Sequence, residues 1–246
     1  VDRLMNLIGQ LVVAKNGLPY IVKRLESHGD VRAAARELKD HGAALDRVAR
    51  ELQSGIMEVR MLPVSQIFQR FPRLVRDVSR KLDKEIELSM VGEETRADKN
   101  VIEVLSEPLV HLVRNALDHG IEPSAERVAK GKPSTGHLRL TATNANESVV
   151  ITIEDDGRGI DPEVVRAKAV RKGLLSEAEA EALSDQDARM LIFAPGFSTK
   201  EEASELSGRG VGMDVVRATI EKVGGQVSLE SEVGEGTRIT SSLPLS

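Results

Sequence analysis

The chain has 246 residues, 40% hydrophobic and 30% charged, with a formal net charge of −5. That composition is globular rather than disordered, and the acidic balance argues against a general nucleic-acid binder. With no cysteine there is no disulfide, thiolate nucleophile or cysteine-held metal, and one Tyr, four Phe and no Trp argue against base stacking on aromatic rings.

Residues 2–60 read as two long helices. Leu4, Leu7, Leu11, Ala14, Leu18, Ile21 and Leu25 alternate spacings of three and four, and Val31, Ala34, Leu38, Leu45, Val48, Leu52 and Val59 repeat the rhythm. So narrow a stripe is a coiled-coil seam rather than the face of a globular helix. Ser27-His-Gly-Asp30 makes the turn, with Gly29 a C-cap and Asp30 an N-cap. The first helix should run roughly 35–40 Å at 1.5 Å per residue. One hairpin leaves Ile8, Val12 and Val22 uncovered, while two would close a four-helix bundle, so we expect a homodimer through residues 1–60. Pro19 cannot donate to the carbonyl of Lys15, so a kink or break is expected there, helped by Gly17. Val1 already falls inside the helical pattern, which points to a piece of a longer protein.

The heptad rhythm stops around Met61-Leu-Pro63, which sets the expected domains at 1–60 and 61–246. Ile67, Phe71, Leu74, Val78 and Leu82 mark a helix interrupted at Pro72, and Glu85-Ile-Glu-Leu-Ser-Met90 alternates as a half-buried strand. Asp98 can cap a helix from about Lys99 to His119, ended by Gly120. A loop with a short helical piece should fill 121–136. Leu138, Leu140 and Ala142 then pair with Val149, Ile151 and Ile153 in a hairpin turned at residues 144–147. Asp161-Pro162 opens another helix, and two polar helical pieces fill 176–194. A glycine-rich stretch, a helix to Val223 and a last hairpin turned at residues 233–236 complete the chain. Strands mixed with helices and closed by antiparallel hairpins make an α+β fold: a helical hairpin followed by a two-layer α/β sandwich.

Three segments carry chemistry. His111, Asn115, Asp118 and His119 fall at i, i+4, i+7 and i+8, along one helical face. They read either as a polar helix end favoured by the dipole or as ligands of a metal-bound phosphate, since an amide oxygen suits Mg²⁺. No H-E-x-x-H is present to support zinc. Glu154-Asp-Asp-Gly-Arg-Gly-Ile160 follows an apolar strand and reads either as an ordinary turn or as an adenine site. In the second case Asp155 accepts from the exocyclic amine, and Gly157 and Gly159 leave room for a flat ring. Gly208, Gly210 and Gly212 run into an apolar-periodic helix, a context that suits phosphate binding. A Walker P-loop is absent, and the G-x-G-x-x-G spacing of a Rossmann turn is not met.

In order and spacing, His111-Leu-Val-Arg-Asn-Ala-Leu-Asp-His-Gly120, Asp155-Asp-Gly-Arg-Gly159 and Gly208-Arg-Gly-Val-Gly212 resemble the N, G1 and G2 boxes of the histidine-kinase ATP fold. Gly196-Phe-Ser-Thr-Lys200 resembles its lid, and residues 1–60 resemble a dimerisation hairpin. The likeness is strongest to the CheA family of chemotaxis histidine kinases and covers nearly the whole chain; Pro19 departs from it.

The resemblance implies Mg-ATP as cofactor, with Asn115 on the metal and Asp155 on the adenine amine, and Thr237 near the ring. It puts Gly157, Gly159, Gly208, Gly210 and Gly212 along the nucleotide, with Asp118 and Thr199 in the same site. His111, His119, Ser198 and Lys200 would approach the terminal phosphate, His111 standing where relatives carry a residue proposed to assist proton removal. Gyrase, mismatch-repair and chaperone relatives use a catalytic Glu in this helix, which disfavours a plain ATPase. His28 and His41 are each followed by Gly, so we expect the phosphorylated His on a separate phosphotransfer domain. The resemblance further implies response regulators as partners, a missing C-terminal domain for coupling protein and chemoreceptors, no nucleic acid, and a cytoplasmic place at the receptor array. The glycine stretch is expected to be a hinged lid, least ordered without nucleotide.

Overall fold

In the computed structural model, residues 2–26, 31–197 and 212–245 are described. The chain divides into two compact units, Val1–Met61 and Leu62–Ser246. The expected turn at Ser27–Asp30, with His28, lies outside the described residues, as do Ser198, Thr199, Lys200, Gly208 and Gly210.

In the first unit α1 (Asp2–Glu26) packs antiparallel on α2 (Val31–Arg60). Two glycine notches fix their register. A Cβ on Gly17 would lie 2.5 Å from Cε1 of His41, and one on Gly55 would lie 2.7 Å from Cδ2 of Leu4. Gly17 therefore makes room for the His41 ring rather than weakening the helix. The expected break at Pro19 does not occur, for α1 is continuous through it. Proline removes one donor and crowds one carbonyl, and packing along α2 holds the helix across that local loss.

The heptad stripe of α2 resolves into two rows. Ala34, His41, Val48 and Gly55, seven apart, face α1, whereas Val31, Leu38 and Val59 are exposed. Within one hairpin the row 31, 38, 45, 52, 59 thus runs along the flank of the α1–α2 contact, with Leu45 and Leu52 half-buried. Ile8, Val12 and Val22 are about half exposed, as the sequence predicts for an isolated hairpin.

The second unit is built on a five-stranded sheet of order β2-β4-β5-β7-β6. Its strands are β2 (Ile86–Val91), β4 (Gly136–Ala145), β5 (Ser148–Asp155), β6 (Gln226–Glu232) and β7 (Gly236–Pro244). All neighbours are antiparallel except β2 and β4, a parallel pair that needs the intervening helices as its crossover. A row of Met90, Leu140, Ile153, Ile239 and Leu229 crosses the sheet. That face packs against α4 (Phe71–Lys81), α5 (Lys99–Asn115) and α10 (Met213–Lys222), burying Leu105, Leu109, Leu112, Val216 and Ile220. The result is the expected two-layer sandwich. A separate two-stranded sheet pairs β1 (Met61–Pro63) with β3 (Arg96–Asp98).

Pro72 begins a helix rather than interrupting one. A short α3 (Ser65–Phe68) precedes α4, and Pro72 stands in the first turn of α4, where its missing N–H has no partner to lose. Asp98 and Asp161 cap α5 and α7 (Pro162–Arg171), accepting from the amides of Asn100 at 2.8 Å and Glu163 at 2.9 Å. The segments α6 (Ser124–Ala129), α8 (Glu177–Ala182) and α9 (Asp185–Met190) fall where helical pieces are expected.

Candidate functional site

The end of α5 departs from the predicted α-helix. It is α-helical to Asn115, and Ala116–Gly120 then forms a π turn closed by the Ile121 amide on the Ala116 carbonyl at 2.8 Å. Lys84 draws in the next carbonyls, those of Leu117 at 2.6 Å and Asp118 at 3.1 Å. The wider turn rotates less per residue than an α-helix, which changes the residues that share a face at this end. His111, Asn115 and His119 line one cavity; Asp118 does not, and its Oδ1 is buried without a hydrogen-bond partner.

The cavity holds about 620 Å³, within the range of small-molecule sites. Asp155 lies in it because β5 alternates: Val149, Ile151 and Ile153 face the helices, and Asp155 is the next position on that face. The Gly157 amide donates to its Oδ1 at 3.0 Å. Burial, together with the nearby charges of Asp156 and Glu122, pushes the Asp155 carboxyl up to about 7, against the pull of the Gly157 amide and Lys132. Ile153, Ile160, Val165, Met213 and Ile239 supply apolar walls, and Thr237 lies across the ladder from Asp155.

The glycines of this loop serve backbone packing. A Cβ on Gly157 would stand 2.1 Å from the carbonyl oxygen of Gly120, and one on Gly159, at φ +70°, would stand 2.0 Å from that of Glu232. Gly159 lines the cavity, while Gly157 stands behind Asp155. Gly120 is tight against a side chain instead, its Cβ position lying 3.1 Å from both carboxylate oxygens of Asp155.

Gly212, which also lines the cavity, is the N-cap of α10; the Val215 amide bonds back to its carbonyl at 3.1 Å, and the Met213 and Asp214 amides before it have no intrahelical acceptor, a setting for anions. The Asn115 amide nitrogen lies 2.8 Å from the sulfur of Met213, which leaves its oxygen for the cavity. Burial, and then Arg114, hold the His111 imidazole below its ordinary pKa, so it is neutral near pH 7. Among the described residues no group of three or more His, Asp or Glu could hold a metal. A cation here would depend on ligand phosphates, with Asn115 as its amide ligand, and the donor set fits such a hard, partly hydrated ion.

Sequence reasoning missed Arg158, Lys168 and Phe197. Arg158 sits inside the Asp-Asp-Gly-Arg-Gly motif, where nothing local marks it as a cavity residue. Lys168 lies one helical turn beyond Val164, which also lines the cavity, and stands 5.1 Å from the Phe197 ring centroid. Lys172 donates to the Phe197 carbonyl, and Phe197 packs with Val165 and Ala169. That anchor depends on a contact between distant segments.

A model of the histidine kinase-, DNA gyrase B- and HSP90-like ATPase family matches residues 104–246, and one of the homodimeric domain of signal-transducing histidine kinases matches residues 1–59. The chain is 48% identical over its whole length to the sensor histidine kinase CheAY of Helicobacter pylori and 44% identical to the chemotaxis protein CheA of Bacillus subtilis. It is 49% identical over 87% of its length to CheA of Treponema pallidum. It spans 30%, 35% and 26% of those relatives respectively, about a third of their length. By fold, motif order and family match, the chain belongs to the histidine kinase-, DNA gyrase B- and HSP90-like ATPases.

Proposed function

We propose that the chain is the dimerisation and ATP-binding core of a chemotaxis histidine kinase, transferring the γ-phosphoryl group of Mg-ATP to a histidine on a separate phosphotransfer domain. The observation that carries this reading is the buried carboxylate of Asp155 in a largely apolar cavity that is also lined by the N-terminus of α10. A flat base with an exocyclic amine satisfies the first, and phosphates satisfy the second.

Asp155 accepts from the adenine amine, Thr237 stands beside the ring, and the apolar walls exclude water. Gly212 and the α10 amides hold phosphate, as would Gly208 and Gly210. Asn115 would hold Mg²⁺, whose chemistry there would be charge neutralisation at the phosphates. His111, neutral at pH 7, takes the proton from the acceptor imidazole, and His119 orients the terminal phosphate. Ser198, Thr199 and Lys200, outside the described residues, would by the family resemblance belong to a lid over that phosphate. Phosphoryl transfer rests on positioning and charge more than on a base, so loss of Asn115 or Lys200 harms it more than loss of His111.

Residues 1–59 match a homodimeric domain, and the exposed row of Leu38 and Val59 with Ile8, Val12 and Val22 supplies the face of a homodimer. Response regulators, a coupling protein and chemoreceptors are the partners this reading expects, at the cytoplasmic face of a receptor array. No described helix is long and apolar enough to cross a membrane.

The test adds γ-labelled ATP and Mg²⁺ to the chain together with a separately prepared histidine-phosphotransfer domain. Label on that domain is the expected result. Labelled phosphate in solution with no labelled protein would identify an ATPase instead, and absence of nucleotide binding would identify a degenerate scaffold.

A further inference from the structure

Glu122, Arg127, Lys132 and Asp156 form a charge cluster that does not line the cavity. Glu122 and Arg127 are each 1% exposed. A buried ion pair is poor evidence for stabilisation, since desolvation offsets the attraction, so its geometry is the better guide to its role. Arg127 donates to the carbonyls of Pro133 at 2.8 Å and Asp156 at 3.1 Å, to Glu122 at 3.3 Å, and to both carboxylate oxygens of Asp156 at 3.1 and 2.9 Å. Lys132 has three donors and uses them on Glu122 at 3.2 Å and on the carbonyls of Asp156 at 3.0 Å and Gly157 at 2.7 Å.

A trans peptide points its carbonyl and its N–H in opposite directions. Drawing the Asp156 carbonyl toward the two cations therefore turns the Gly157 N–H the other way, onto the Asp155 carboxylate at 3.0 Å. Drawing the Gly157 carbonyl toward Lys132 turns the Arg158 N–H onto the Gly120 carbonyl at 2.9 Å. Two captured oxygens thus set two amides, and those amides fix Asp155 and lock its turn against the end of α5. Asp156, adjacent to Asp155, is held out of the cavity by Arg127 and by His137, whose amide donates to it at 2.8 Å.

We infer that Lys132, with Arg127 beside it, is a positioning residue for ligand recognition: by capturing the carbonyls of Asp156 and Gly157 it aims the Asp155 carboxylate into the cavity. The inference rests on the reading of Asp155 as the adenine ligand. It assigns a task in the nucleotide site to two residues that do not line its cavity, from a segment that reads in sequence as a loop with a short helical piece.

The test titrates magnesium-free ADP, and adenosine, into the wild-type chain, Lys132→Met, Lys132→Arg and Asp155→Asn by calorimetry at pH 8, with circular dichroism to verify folding. Losing a charge-assisted hydrogen bond that orients Asp155 is expected to weaken both ligands about tenfold in Lys132→Met, by the same factor, because adenosine shares only the adenine end. Hydrogen exchange at the Gly157 amide should quicken in that variant. Lys132→Arg should recover part of the loss, since a planar fork cannot converge on the same three acceptors. Unchanged adenosine affinity in folded Lys132→Met overturns the inference, and weakened ADP alone would mark a direct phosphate contact. Should Lys132→Met not fold, Lys132→Arg decides: wild-type affinity together with wild-type Gly157 exchange overturns it. Asp155→Asn separates the two claims. If it binds like wild type, the adenine assignment fails; if it does not bind while Lys132→Met binds normally, the positioning role alone fails.

Discussion

Asp155 and Thr237 face each other as the last pair of the β5–β7 ladder, on the face that buries Ile153 and Ile239 one step earlier. A carboxylate thus occupies a position that strand alternation reserves for core residues. It is 7% exposed.

That placement has a pH signature. Burial raises the Asp155 carboxyl to about 7, while an unfolded Asp titrates near 4 by ordinary values. Between about pH 4 and about 7 the native chain keeps a proton that the unfolded chain has released, so stability falls as pH rises through that window. Asp155→Asn removes the buried charge and is expected to raise the Tm at pH 8, at roughly 2–4 °C per kcal/mol for a chain of this size. Ligand affinity in the wild type should fall as pH drops below about 7, where the carboxylate protonates. Scanning calorimetry at pH 5 and pH 8 checks the first claim; equal Tm for both proteins at pH 8 contradicts it.

Gly157→Ala should lose ligand binding and about 2 kcal/mol or more of stability, since no neighbouring side chain can move aside for the new methyl. The atom it meets is the Gly120 carbonyl oxygen, at 2.1 Å. Gly131→Ala is the control: its φ of +77° strains alanine, but nothing lies within 4 Å of the new carbon. Urea unfolding compares the two, and a Gly157→Ala loss no larger than that of Gly131→Ala would count against backbone packing as the reason for this glycine.

Arg127→Met should cost about 3–5 kcal/mol, because Glu122 stays buried with one cation fewer. Removing the exposed Arg73, paired with Asp77 at 3.6 Å, should change stability by less than about 1 kcal/mol. Denaturant midpoints separate these outcomes.

In the hairpin, Pro19→Ala restores a donor toward Lys15 and should stabilise the first unit by about 1–3 kcal/mol. Gly17→Val should destabilise it, because the added carbons occupy the place of the His41 ring. Thermal unfolding of the full chain, followed by helix signal, reads both; destabilisation by Pro19→Ala would mean the proline is required by the fold.

Local periodicity made much of this structure legible. The alternation of Val149, Ile151 and Ile153 located β5 and, with the motif that follows it, pointed to Asp155; Asp98 and Asp161 announced their helices by capping. What escaped depends on distant partners. The π turn at Ala116–Gly120 is a local choice reinforced by Lys84, more than thirty residues away in sequence. The two heptad rows of α2 share one spacing, so only packing tells the row that meets α1 from the row that does not. Pro19 looked like a breaker because a propensity argument omits the helix packed alongside. Arg127 and Lys132 fall within the loop and short helical piece expected over 121–136, and nothing local there shows that Asp156 and Gly157 fold back over them.

On the proposed function, Asp155 anchors an adenine nucleotide in the cavity lined by β5, β7, α5 and α10. Calorimetric titration of a non-hydrolysable ATP analogue with Mg²⁺ into the wild-type chain and Asp155→Asn at pH 8 tests it most directly. Saturable one-to-one binding to the wild type and none detectable to the variant, with the variant fully folded, is the expected result. Equal affinity for the two proteins would contradict it.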